Sequence, residues 1–168
     1  MADAATMTIK AVLLPDEIQT TLEDLSFAYT PADANDKWFY SIVNIAHTGG
    51  AADLITGNFL SNSAGIAAGS SNATITVSDK VKFLFIKNTA TTDGSSAATD
   101  SIYLTIDGST AAHNATNVIE IGSGESWYAK LTNTTVGNLH AINGDAAGAG
   151  TGEANVQCVV AAIIDDVS

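Results

Sequence analysis

From Lys37 onward the chain is a succession of short runs rich in β-branched and aromatic residues, cut apart by clusters of Gly, Asn, Asp and Ser. "WFYSIVNI" (38–45) is the first strong strand candidate, and "KVKFLFIKN" (80–88) is the second. In the latter, alternation puts Val81, Phe83 and Phe85 on one face and Leu84 and Ile86 on the other, so both faces are covered, as in a central strand. "SIYLTID" alternates with Ile102, Leu104 and Ile106 inward. "NVIEI", "SWYAKL", "NLHAI" and "NVQCVVAAII" read as further strands, and "DLITGNFL" and "ATITV" as weaker ones. No amphipathic helices alternate with these runs, which disfavours a parallel α/β fold. The expectation is an all-β, single-domain antiparallel β-sandwich, jelly-roll-like, with roughly nine or ten strands.

The first 37 residues follow different rules. Both prolines, Pro15 and Pro31, lie here. "TIKAVLL" reads as a strand, whereas Ile18, Leu22 and Leu25 have helical spacing behind Asp16 and Glu17, two acids suited to a first helical turn. Residues 1–37 are therefore expected to form an N-terminal arm or connector, and residues 38–168 the sandwich domain. Ile9, Val12, Leu13 and Leu14 are the expected intersubunit contact of the arm. An ordinary first strand plus connector is the alternative.

Hydrophobic residues make up 46% of the 168 and charged residues only 14%, so the surface must be built largely from Thr, Ser, Asn, Gly and Ala. Such neutral surfaces suit extensive contact with other subunits. The net charge is −12, with 6 Lys and no Arg. That balance disfavours direct nucleic-acid binding, and it excludes arginine clamps on phosphate. Acid also keeps an apolar-rich chain soluble. The longest apolar stretch, Cys158 to Ile164, is far shorter than the ~20 residues of a spanning helix. The N-terminus lacks the basic segment of a signal peptide. The single cysteine, Cys158, has apolar neighbours and reads as a buried thiol rather than a nucleophile.

The motifs that carry chemistry are absent or broken. His47, His113 and His140 show no metal-ligand spacing. Asp93, Asp100 and Asp107 lie near glycines in patterns that match tight turns better than calcium loops. In "IEIGSGESWYAKL", Gly124 stands where a nucleophile elbow needs serine, and the third glycine and lysine of a phosphate loop are missing. Glu120 and Glu125 flank this turn, which reads as a hairpin corner that sets strand register. Neither a cofactor nor a catalytic residue is expected. Three long small-residue loops, "SNSAGIAAGSSN", "NTATTDGSSAATDS" and "NGDAAGAGTGEAN", lack the apolar anchors that would order them. The sequons at Asn72, Asn114 and Asn133 read as chance in an Asn- and Thr-rich chain.

Over Val81 to Ile142, the succession "FLFIKN…SIYLTIDG…VIEIGSGESWYAKL…LHAI" resembles small virion structural proteins of tailed bacteriophages, most of all capsid decoration (cement) proteins. The resemblance covers roughly half the chain. It implies a β-rich, non-enzymatic protein that commonly forms homotrimers and binds the outer face of the major capsid protein lattice. The implied location is the virion surface, after synthesis in the host cytoplasm. Two other readings compete. A carbohydrate- or receptor-binding module, on a phage tail fibre or a secreted protein, would use Trp38, Tyr40, Tyr103, Trp127 and Tyr128 as stacking faces. A small β-sandwich hydrolase is the third.

Overall fold

The computed structural model describes residues 5–13, 20–33, 35–60, 74–109, 116–145, 148–149 and 154–167. The chain divides into two compact units, Met1–Asp33 and Ala34–Ser168. The division falls before Lys37 because Asp36 and Lys37 are already the first two residues of the sandwich.

The first unit is a hairpin of β1 (Ala5–Leu13) and β2 (Thr20–Tyr29), paired antiparallel from Ala5↔Tyr29 to Leu13↔Thr20 with a bulge between Ile9 and Ala11. The expected helix does not form at Leu22 and Leu25, which lie in β2. Two threonines, a phenylalanine and a tyrosine favour the extended state there, and β1 supplies a full ladder of partners. Pairing with a neighbour thus overrides a local spacing signal. Ile18 and Leu14 lie outside the described residues.

The second unit is an all-β sandwich of two antiparallel sheets packed against each other. One sheet has the order β3 (Asp36–Ile45), β11 (Val156–Asp165), β5 (Lys80–Asn88), β8 (Ser126–Thr135). The other has the order β10 (Gly148–Ala149), β9 (His140–Asp145), β6 (Ser101–Thr105), β7 (Ile119–Ile121), with β4 (Ala52–Asp53) also paired to β9. The core lies between them. β11 contributes Val156, Cys158, Val160, Ala162 and Ile164 by strict alternation, β3 contributes Phe39 and Ile45, and β6 contributes Ile102 and Leu104. Each fully buried large side chain is worth about 1.5–3 kcal/mol.

β5 departs from simple alternation. Val81 pairs with Ile164 and Phe83 with Ile163, so Lys82 is an extra residue in the ladder. This bulge turns Val81 to the same side as Leu84 and Ile86, and all three sit in the core. The expected grouping of Val81 with Phe83 and Phe85 is corrected accordingly. Of the two weak strand candidates, "DLITGNFL" contributes only Asp53 to β4, while Leu54, Ile55 and Phe59 enter the core from irregular backbone. In "ATITV" the described backbone forms one isolated bridge, Asn58↔Thr74.

The turn after β7 is also not a hairpin corner. Ile119–Ile121 pairs with β6 in one sheet, and Ser126–Thr135 pairs with β5 in the other. The turn therefore carries the chain across the sandwich. Gly122 N–H donates to Glu125 Oε2 at 2.8 Å, Glu125 N–H returns a bond to Gly122 O at 3.0 Å, and Ser123 Oγ donates to Ala98 O at 2.8 Å. Gly124 sits at φ +79°, a conformation natural to glycine.

Cys158 is fully buried on β11, and burial pushes its thiol up to about 12 from an ordinary 9.0. At neutral pH the thiolate fraction should fall by about a thousandfold on folding. Alkylation by iodoacetamide is accordingly expected to be negligible in the folded protein and rapid in denaturant. Equal rates in the two conditions would show that solvent reaches the sulfur.

Candidate functional site

The most distinctive surface is the face of the β3–β11–β5–β8 sheet that points away from the core. Alternation in "WFYSIVNI" sends Phe39 inward and Tyr40 and Ile42 outward, where they remain 51% and 53% exposed. The register joins them to their neighbours in rows. Tyr40, Ala161, Phe85 and Tyr128 form one row across all four strands, and Ile42, Val159, Lys87 and Ser126 form the next. In the row on the other side, Trp38, Ile163, Phe83 and Lys130, the two central residues are buried. The open part of the face is thus at Tyr40 and Ile42.

These two residues also lie on a sheet edge. β3 pairs with β11, and among the described residues no strand pairs with its other side. Leu60 N–H donates to Trp38 O at 2.8 Å, which covers the edge at that point. Backbone polar groups alternate in direction along a strand, so those of Tyr40, Ile42 and Asn44 face the same side as Trp38 O. Residues 38–45 carry no charge in a chain of net charge −12. An exposed, apolar, uncharged edge strand is a surface suited to association.

Ile9, Val12 and Leu13 lie in β1, opposite Leu25, Thr21 and Thr20, and Leu14 lies outside the described residues. The five candidate stacking aromatics do not share one face. Trp38, Tyr40 and Tyr128 lie on the outer face just described. Trp127 points inward against the core, and Tyr103 is buried on the other sheet beside Ile142.

The acids that suggested metal loops are held by local hydrogen bonds. Asp93 Oδ1 accepts from the backbone of Ser96 at 2.7 Å and of Ser95 at 2.9 Å, and these bonds hold its carboxyl below the usual range. Asp107 is lowered likewise, first by the Asn117 side chain at 2.8 Å and then by Ser109 N–H at 3.0 Å. Asp100, buried, accepts from Ala154 N–H at 3.1 Å. Loop 89–100 is ordered by short polar side chains, by the buried Ala98 and by bonds to β11, where Thr89 N–H donates to Gln157 O and Gln157 N–H donates to Thr91 O. Among the described residues no group of three or more His, Cys, Asp or Glu side chains is gathered.

Glu120 accepts from Ser101 Oγ at 2.8 Å while Glu125 holds Gly122, so the two carboxylates serve separate bonds. His140 Nε2 lies 3.5 Å from Asp53 Oδ1 at a shallow cleft lined by Ala51, Asp53, Gly108 and His140. Those four residues supply a His–Asp pair with no hydroxyl or thiol for it to activate. His113 lies outside the described residues.

No protein-family model matches this chain, and no curated protein and no solved structure is detectably similar to it.

Proposed function

We propose that this chain is a non-enzymatic virion structural protein that decorates a phage head by bridging neighbouring major capsid protein subunits, as a homo-oligomer, a trimer by the family resemblance. The observation that carries the reading is the β3 edge. The uncharged stretch 38–45, which exposes Tyr40 and Ile42 along a sheet edge, suits a protein that works by docking. The strand order supports it too. With the two-residue β10 set aside, the eight strands from β3 onward fall into sheets of order 1-8-3-6 and 2-7-4-5, which agrees with the expected jelly-roll-like arrangement, one used by viral capsid and lectin domains alike. The sequence resemblance over Val81–Ile142 points the same way.

The mechanism is geometric. Each copy buries about 800 Å² per partner, and symmetry repeats that contact over the shell, so internal DNA pressure must break more contacts to open it. The decisive measurement is quantitative mass spectrometry of purified virions, with Ile42→Glu as the surface variant. A copy number comparable to that of the major capsid protein, and its loss in the variant, is the expected result. A handful of copies would assign the chain to a tail or vertex, and its absence from virions would end the proposal.

One observation favours a second reading, glycan binding: Trp38, Tyr40 and Tyr128 share a face. A glycan array at millimolar sensitivity separates the two, since selective binding abolished by Tyr40→Ala would favour the module.

A further inference from the structure

Lys37 is the second residue of β3, and Asp166 is the first residue after β11, 129 positions away. Lys37 Nζ donates directly to Asp166 Oδ2, and the two side chains keep only 8% and 7% of their exposure. The Phe59 ring lies 5.2 Å from the nitrogen. The segment that carries Asp166 is pinned on both sides. Its own N–H donates to Asn35 O at 3.0 Å, and the next N–H, that of Val167, donates to the fully buried Asp79 at 3.2 Å. An amine and a carboxyl are thus held in contact, under an aromatic ring, with water largely excluded.

We propose that Lys37 and Asp166 are joined by an intramolecular amide between Nζ and Cγ, formed after the sandwich folds. A proton passes from the ammonium to the carboxylate, which replaces two buried charges by a neutral amine and a neutral acid. The nitrogen lone pair then attacks Cγ. The C–N bond forms, the C–OH bond breaks, and the hydroxyl departs with a proton from nitrogen as one molecule of water. No oxidant, nucleotide or cofactor enters the balance.

Two features of the site drive the step. Fixed contact replaces a bimolecular encounter by a unimolecular one. Burial removes the solvent that would otherwise favour the separated ions, and the uncharged amide no longer carries the desolvation cost of a buried ion pair. Asp79 is a positioning residue: it acts through Val167 on the placement of Asp166. The bond would tie the first strand of the sandwich to its last, which are already ladder neighbours at Asp36↔Asp165 and Lys37↔Ile164. The inference is independent of the virion reading.

The test is the intact mass of the purified, denatured full chain, followed by a tryptic map. The wild type is expected to be lighter than Lys37→Met and Asp166→Ala by one water, after correction for each substitution. The variants report on mass whether or not they fold well. Trypsin does not cut after an acylated lysine, so residues 11–80 should emerge joined to residues 131–168. A wild type of full sequence mass would overturn the proposal. So would a water loss that maps to Asp93–Gly94 or Asp107–Gly108, where succinimide formation releases the same water.

Discussion

Replacing Lys37 by Met should lower the stability of the sandwich by at least about 3–5 kcal/mol, whereas Lys82→Ala should cost no more than about 1 kcal/mol. Both lysines face an aspartate at the end of β11, and the two aspartates are consecutive. The difference lies in burial. Lys82 Nζ meets Asp165 Oδ2 at 3.1 Å with the side chains 26% and 27% exposed, so water takes over when the lysine is removed. Asp166 keeps only 7% of its exposure, so without Lys37 its carboxylate loses a charged partner in a place that bulk water hardly reaches. Urea denaturation reads both losses, and release of the cross-link in Lys37→Met should also raise the m-value, because the unfolded chain expands. The double variant Lys37→Met/Asp166→Leu distinguishes the two forms of the pair. A plain ion pair can be replaced by apolar groups at little cost, and stability would return. An amide closing a span of 129 residues also restrains the unfolded chain, by about 4–5 kcal/mol on the loop-entropy scale used for cross-links, and no apolar pair restores that. The double variant is therefore expected to stay destabilised.

Much of the sandwich was legible in short runs of residues. The bounds of β5 coincide with "KVKFLFIKN", and "NVQCVVAAII" covers β11 from Val156 to Ile164 with its alternating core face, because β-branched runs flanked by Gly, Asn and Asp are local signals. What alternation cannot express is pairing. Lys82 is an extra residue only relative to Ile163 and Ile164, which lie some eighty positions away, so alternation alone assigns Val81 to the wrong face. "IEIGSGESWYAKL" has every local mark of a hairpin, yet its two arms bond to β6 and β5, and no feature of the turn states which sheet each arm will join. Leu22 and Leu25 failed for the same reason, since the β1 ladder decides their state. The candidate site follows this division. Tyr40 and Ile42 can be placed outward by counting in twos from Phe39. That β3 ends up at an edge depends on the order of all four strands. Lys37 and Asp166 carry no mutual signal at all, because only the closing of first strand on last brings them together.

Asn88→Ala should cost about 3 kcal/mol, although the side chain adds almost no apolar area to the core. Asn88 ends β5 and is fully buried. Its Nδ2 donates to Asp100 O at 3.0 Å and to Ile121 O at 3.3 Å, so one amide reaches from one sheet to the entry of β6 and the end of β7 in the other. Its Oδ1 accepts from Ala90 N–H at 3.0 Å, which holds Ala90 at φ +59°, a left-handed conformation that alanine rarely adopts. Truncation leaves two carbonyls and one N–H without this partner in a site closed to bulk water, at about 1–3 kcal/mol for a buried group left unsatisfied. Leucine should not rescue the loss, because it fills the space without donating. Aspartate should be worse than alanine: it keeps the acceptor for Ala90 but turns a carboxylate oxygen toward two carbonyl oxygens. Denaturation of the three variants gives the order, and hydrogen exchange at Ala90 gives the local effect. A loss below about 1 kcal/mol in all three would mean that the two sheets are held in register by apolar packing alone, and that this amide is incidental to it.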